Sequence, residues 1–214
     1  MRQTAITFKG KKLSLDGVLT TPEDVLAPYP ALLVCHPHPK LGGSMDNTVV
    51  MAICRAADAE GVASLRFNFR GVGASEGEFD NGVGEQDDVK AALDTLRRWP
   101  DVDGRRLGLV GYSFGASVIL AGVRQYKAAR GLVFIAPPVS SLEGSRVRKD
   151  KRPKLFIVGQ MDGVVSSPEL QREIDAVRAP VQFTEVEGAD HGLGAHEEDV
   201  ARRVVEFATA YLVQ

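Results

Sequence analysis

The spacing of hydrophobic residues changes along the chain, and each change predicts an element. Thr4, Ile6 and Phe8 stand at every second position, as do Leu13 and Leu15, and Gly10-Lys11-Lys12 between them suits the turn of an antiparallel hairpin. Ala31 to Cys35 is an unbroken apolar run, the pattern of a strand covered on both faces. From Asn47 to Glu60 the apolar positions Val50, Ile53, Cys54 and Ala57 recur at helical spacing, and Val62 to Phe67 returns to strand. Glu85 to Arg98 predicts a helix, with Glu85, Asp87 and Asp88 in its first turn and Arg97 and Arg98 in its last, as the helix dipole favours. Leu107 to Val110, Leu132 to Ile135, Leu155 to Val158 and Val181 to Val186 read as strands; Pro168 to Val177 and Glu197 to Leu212 read as helices. Strands that alternate with helices imply an α/β fold: a mostly parallel sheet of about eight strands with helices on both faces, starting antiparallel at its first hairpin. No repeat or linker interrupts the pattern, so residues 1–214 are expected to form one domain.

Composition narrows the reading. A 44% hydrophobic and 25% charged chain is ordinary for a globular protein, and a formal net charge of -2 gives no reason to expect a nucleic-acid partner. The start of the chain, Met1 to Ile6, has no apolar signal core, and no apolar run approaches a membrane span. The expectation is a cytoplasmic protein, monomer or homodimer, without a membrane partner. Cys35 and Cys54 both fall in apolar patterns, which reads as reduced, buried thiols.

The chemistry starts at Leu109-Val110-Gly111-Tyr112-Ser113-Phe114-Gly115-Ala116, an apolar strand that ends in Gly-x-Ser-x-Gly and runs into the helical pattern of Ala116 to Ala121. A strand-to-helix bend this sharp presents the Ser113 hydroxyl beside the free N–H groups of a helix start. A serine becomes a useful nucleophile only with an imidazole to take its proton and a carboxylate to orient that imidazole. Of four histidines, His191 lies in the loop between the last strand and the last helix, where the base belongs. His196, at the start of that helix, is the fallback. Asp162 lies just past the strand that ends at Val158 and is the candidate acid; its rival, Asp190, adjoins the histidine and is expected to bond within its own loop. The Phe114 N–H is one oxyanion donor. Pro37 and Pro39 have no N–H, so the second donor is assigned to the His38 backbone. His36 and Tyr112 are candidates for lining the substrate pocket. A zinc shared by His36 and His38 lacks further ligands at suitable spacing, so no metal and no cofactor is expected.

Two other stretches read as structural. Arg70 to Gly77 is glycine-rich after a strand but departs from Gly-x-Gly-x-x-Gly and opens no helix, so it reads as a tight loop with Arg70 held by Glu85 or Asp87. The basic run Arg146 to Lys154 reads as a solvated loop, with attraction of anionic substrates as the alternative.

These residues resemble the α/β-hydrolase superfamily, and within it the small, lidless bacterial members related to the dienelactone hydrolases. The likeness rests on the elbow together with His36-Pro37 through Gly42-Gly43-Ser44-Met45-x-Asn47, Arg66-Phe67-Asn68-Phe69-Arg70-Gly71-Val72-Gly73-x-Ser75, and Gly77-x-Phe79-Asp80-x-Gly82-x-Gly84-Glu85-x-Asp87. The resemblance implies a triad at Ser113, Asp162 and His191. Dienelactone hydrolases proper use a cysteine nucleophile, so lactone opening does not carry over to Ser113. The interval between Ile135 and Leu155, where larger relatives insert a cap, is short, which implies an open cleft suited to small or protruding acyl groups. The expected activity is hydrolysis of small to modest carboxylic esters or thioesters. The competing readings are an acyltransferase or small-peptide hydrolase with the same triad, or a non-catalytic binding protein on this fold.

Overall fold

The computed structural model describes residues 1–23 and 25–212. Its eight strands form one sheet in the order β1-β2-β4-β3-β5-β6-β7-β8. The hairpin of β1 (Arg2–Lys9) and β2 (Ser14–Thr21) is antiparallel, and β2 lies antiparallel to β4 (Ala63–Phe67). All other pairings are parallel, through β3 (Tyr29–Cys35), β5 (Val102–Tyr112), β6 (Ala129–Ile135), β7 (Lys154–Gly159) and β8 (Val181–Val186). This is the mostly parallel α/β sheet expected from the sequence.

Alternation along each central strand sorts its side chains between two cores. Leu32 and Val34 of β3 join one core, with Val110, Val133 and Ile157, beneath α1 (Thr48–Ala59) and α5 (Glu197–Leu212). Leu33 and Cys35 join the other, with Leu109, Phe134 and Phe156, beneath α2 (Glu85–Arg97), α3 (Phe114–Gly122) and α4 (Ser167–Ile174). Parallel strands buried on both faces explain the continuous apolar runs. Asn47 caps α1, accepting from the N–H groups of Val49 and Val50, a contact of a kind that typically contributes about 1 kcal/mol. Both cysteines are buried free thiols, and burial pushes each well above the ordinary thiol range.

Three elements differ from expectation. β2 continues to Thr21 because Gly17 lets it press against β4, where a β-carbon would stand 2.8 Å from the Arg66 carbonyl oxygen; that glycine interrupted the apolar pattern. The helix expected over Pro168 to Val177 is α4, one residue earlier at its start and ending at Ile174. The basic run is a solvated loop only in part: Arg146, Lys149 and Lys151 are exposed, but Arg148, Arg152 and Lys154 are not. Lys154 is fully buried and donates to the carbonyls of Asp150, Arg152 and Arg178 at 2.9, 2.6 and 2.9 Å. Arg152 donates to the carbonyls of Val123, Tyr126 and Ala129 and to Asp150, and Arg148 pairs with Glu173.

Between β6 and β7 the chain forms only two short 3-10 turns, Val139–Ser141 and Arg146–Lys149, and no cap. The ends of the parallel strands are left open above the sheet.

Candidate active site

Ser113 occupies the turn between β5 and α3 at φ 52 and ψ -108, a backbone conformation that costs an L-residue on the order of 1–3 kcal/mol. The glycines on either side make the turn possible. A β-carbon at Gly111 would come within 2.6 Å of the Ala116 nitrogen, and one at Gly115 within 2.5 Å of the Cys35 carbonyl oxygen. The strain is held by packing and by the Ser113 N–H, which donates to the Ile135 carbonyl at 2.8 Å. The result is a half-buried hydroxyl at the strand's end, beside the first N–H groups of α3.

Ser113 Oγ lies 3.0 Å from His191 Nε2, and His191 Nδ1 lies 2.8 Å from Asp162 Oδ2. An ionised carboxylate can only accept, so the His191 proton sits on Nδ1 and Nε2 is free to accept from the serine. The Asp162 side chain is fully buried, and its other oxygen accepts the N–H groups of Val164 and Val165 at 2.8 Å each. Both carboxylate oxygens are thus committed, which fixes the plane of the imidazole. The loops after β7 and β8 are themselves locked together. Met161 N–H donates to the Ala189 carbonyl at 2.8 Å, and a β-carbon at Gly159 would come within 2.3 Å of that same oxygen.

Asp190 turns away from the imidazole: its Oδ1 accepts from the N–H groups of Gly192 and Leu193, as expected for a local loop bond. His196 makes only backbone bonds among the described contacts and is outside this chain of groups. Neither the Phe114 nor the His38 backbone N–H has a protein acceptor among the described residues. The two residues are neighbours, with ring centroids 5.1 Å apart.

The two candidate pocket residues lie elsewhere. His36 is fully buried and lines no cleft; Nδ1 donates to the Pro37 carbonyl at 2.7 Å and Nε2 accepts the Phe69 N–H at 3.1 Å. Burial lowers its pKa from the ordinary 6.5 to about 4, so the ring is neutral and binds one loop to the next. Tyr112 is buried beneath the His191 loop, where its hydroxyl donates to the His191 carbonyl at 2.7 Å. Burial, with Asp162 next, pushes that phenol up to about 12 and keeps it a donor. Both residues alternate inward at strand ends, and burial at that edge is decided by loops the periodicity does not describe.

A cleft of about 520 Å³ adjoins the elbow: it is lined by His38 and by Phe114, Ser117, Val118 and Ala121 of α3, while Ser113 and His191 lie outside its lining. Its walls are Phe79, Asn81 and Gly82 on one side and Ser140, Ser141 and Glu143 to Arg146 on the other. Arg146 therefore borders the cleft, whereas Arg148, Arg152 and Lys154 of the same run are bonded within the fold. The wall residues Phe79 and Gly82 had no expected role in the site; their signal was the Gly77-x-Phe79-Asp80-x-Gly82-x-Gly84-Glu85 motif, whose Glu85 folds back onto the loop before its own helix. Arg70, expected beside Glu85 or Asp87, pairs instead with Asp88, through Nε at 2.9 Å and Nη2 at 2.7 Å. Helical phase turns Asp88 toward the sheet, where it is 1% exposed, while Asp87 faces Lys11.

The chain matches the family model described as X-Pro dipeptidyl-peptidase (S15 family) over residues 10–179. It is 31% identical over 210 residues to an uncharacterized protein of Rickettsia prowazekii (strain Madrid E), covering 94% of this chain and 87% of that one. Among solved structures it resembles an α/β serine hydrolase homologue from Coxiella burnetii, with 32% identity, a TM-score of 0.84, and coverage of 97% of this chain and 98% of that one. An α/β serine hydrolase without a lid from Xanthomonas campestris is 31% identical, with a TM-score of 0.84 and coverage of 98% and 94%.

Proposed function

The chain belongs to the S15 family of the X-Pro dipeptidyl-peptidase model, among the α/β serine hydrolases, and from that premise we propose that it cleaves small to modest carboxylic esters or thioesters through an acyl-enzyme on Ser113. In this reading the Ser113 oxygen attacks the carbonyl carbon while His191 Nε2 takes its proton. The negative charge that develops on the carbonyl oxygen is held by the Phe114 and His38 N–H groups. When the intermediate collapses, the carbonyl–oxygen or carbonyl–sulfur bond breaks and His191 returns the proton to the leaving alcohol or thiol. Water then repeats the sequence, with His191 as base, and releases the acid. Asp162 holds the imidazole tautomer throughout and stabilises the imidazolium.

The observation that carries this reading is the continuous chain Asp162–His191–Ser113, at 2.8 and 3.0 Å, ending on a serine held at positive φ. The Phe114 and His38 N–H groups, without acceptors among the described residues and on residues whose rings are in contact, support the assignment of the oxyanion donors. An uncapped cleft of about 520 Å³ suits a short acyl group better than a long buried chain.

The family's printed description favours a second reading, cleavage of a peptide bond by the same groups. Both are tested on one panel: p-nitrophenyl acetate and butyrate against an Xaa-Pro p-nitroanilide, with labelling by a fluorophosphonate probe. The expected result is ester turnover and labelling in the wild type, both abolished in Ser113→Ala. Wild-type labelling of Ser113→Ala would overturn the nucleophile, and a kcat/KM higher for the anilide than for the esters would transfer the assignment to peptides.

A further inference from the structure

The loop between Gly77 and Glu85 forms one wall of the cleft, and it is pinned by a carboxyl group that the proposed reaction does not use. Glu85 is 0% exposed. Its Oε1 accepts the Asp80 N–H and its Oε2 the Gly82 N–H, each at 2.8 Å. A buried carboxyl is costly unless bonded, so these two contacts account for its presence. The loop they hold is a strained one, with Asn81 at φ 52 and Gly82 at φ 86. It is drawn further shut by Val83 N–H to the Asp80 carbonyl at 3.0 Å and by Gln86 Nε2 to the Gly82 carbonyl at 2.9 Å. Behind it, a β-carbon at Gly84 would come within 1.9 Å of Arg70 Nη1, and Asp88 clamps that guanidinium in place. The loop cannot retreat without breaking this frame.

What the frame delivers is the Phe79 ring. Its centroid lies 5.1 Å from His38 and 5.4 Å from Phe114, and those two rings lie 5.1 Å from each other. The three rings close a triangle in which each is located by the other two. Two corners belong to the residues whose N–H groups receive the oxyanion in the proposed function, and those residues come from different segments, the loop after β3 and the start of α3.

We propose that Glu85 and Phe79 are positioning residues for the reaction: the Glu85 carboxyl seats the loop, and the loop wedges Phe79 against His38 and Phe114 so that their two backbone donors keep a fixed separation. The inference rests on the function proposed above. The expected consequence is kinetic, because donors that meet the transition state more closely than the substrate act on kcat more than on KM.

The test measures kcat and KM for p-nitrophenyl acetate, the affinity for phenylboronic acid as a tetrahedral adduct of Ser113, and the thermal midpoint, in Phe79→Ala, Phe79→Leu and Glu85→Gln. Displacing a donor by about 1 Å costs up to about 100-fold, so Phe79→Ala is expected to lower kcat roughly 10- to 100-fold with KM moving less than about 3-fold. Glu85→Gln keeps one acceptor oxygen and turns an amide N–H toward the other donor, so it is expected to lower kcat in the same way. Boronic-acid affinity should fall in parallel with kcat. Phe79→Leu, which keeps the volume of the wedge, serves if Phe79→Ala does not fold and should lie between Phe79→Ala and wild type. Variants that lose thermal stability while keeping kcat and boronate affinity within about 2-fold would overturn the proposal, leaving a purely structural loop; so would a change confined to KM. Unimpaired turnover by Ser113→Ala would instead remove the function on which the inference stands.

Discussion

The two ends of β7 carry polar clusters built on opposite terms. At its start, the Lys154 ammonium is fully buried and all three of its donors reach carbonyls, while Arg152 beside it reaches three more and Asp150. Lys154 and Arg152 direct their donors to partners within the fold. Past its other end, Asp162 is equally buried and equally satisfied, but it serves an imidazole that is 26% exposed and a serine at positive φ. The Phe114 N–H, next in the chain to that serine, and the N–H of His38, whose ring packs on that of Phe114, have no acceptor among the described residues. Saturated charge is architecture, since every group has already spent its bonding capacity on the fold. Strain and unspent donors on a half-open surface mark the end of the strand where a ligand has something to bind.

The largest expected effect breaks the open end alone. Asp162→Asn keeps an oxygen for the Val164 and Val165 N–H groups but turns an amide N–H2 toward His191 Nδ1. The ring must then carry its proton on Nε2, facing Ser113, where it cannot accept. Ester turnover is expected to fall by about 10⁴-fold, with urea unfolding close to wild type. A loss below about tenfold would mean that the carboxylate does not orient the base. The mirror experiment breaks the saturated end. Lys154→Met removes the donor to three buried carbonyls and should lower unfolding free energy by about 3–5 kcal/mol while kcat/KM of the folded enzyme stays unchanged. A stability loss under about 1 kcal/mol, or a selective loss of turnover, would erase the contrast between the two ends.

This contrast also separates what the sequence discloses from what it hides. Apolar period and turn residues exposed the strand order's raw material, the Ser113 bend and the loops that bring Asp162 and His191 into contact with it, because a catalytic-type bend needs glycines at fixed offsets. Asp190 was separable from Asp162 by chain geometry, since adjacent side chains diverge and a loop aspartate finds local N–H groups. Within the basic run, Arg152 and Lys154 differ from the expected solvated loop because hydropathy scores them as solvent-seeking; only tertiary structure supplies the six carbonyls that hold Arg152 half-buried and Lys154 fully buried. The same limit applied among Glu85, Asp87 and Asp88. Three acids in one helical turn look alike in sequence, and their phase against the sheet sends one to the loop, one to Lys11 and one to Arg70.

His36 stands at the open end of the sheet yet is built like the saturated one, so it sharpens the comparison most finely. Both ring nitrogens are bonded and the ring is held neutral by burial, with its pKa lowered from 6.5 to about 4. Between those two values the unfolded chain binds more protons than the folded one, so the ring's contribution is fully present above pH 6.5 and is lost as pH falls toward 4. A shift of this size carries about 3 kcal/mol at most, of which roughly 2.5 kcal/mol is expected to disappear between pH 7 and pH 4.5. Carboxylates also titrate in that range, so the informative quantity is the difference between wild type and His36→Gln, whose amide oxygen can still accept the Phe69 N–H without titrating. The variant is expected to be less stable at pH 7 but to lose less on acidification, narrowing the gap by about 2 kcal/mol at pH 4.5 in urea titrations. Parallel acid slopes for the two proteins would show that the buried imidazole does not resist protonation, and His36 would then belong with the titrating groups of the site rather than with its frame.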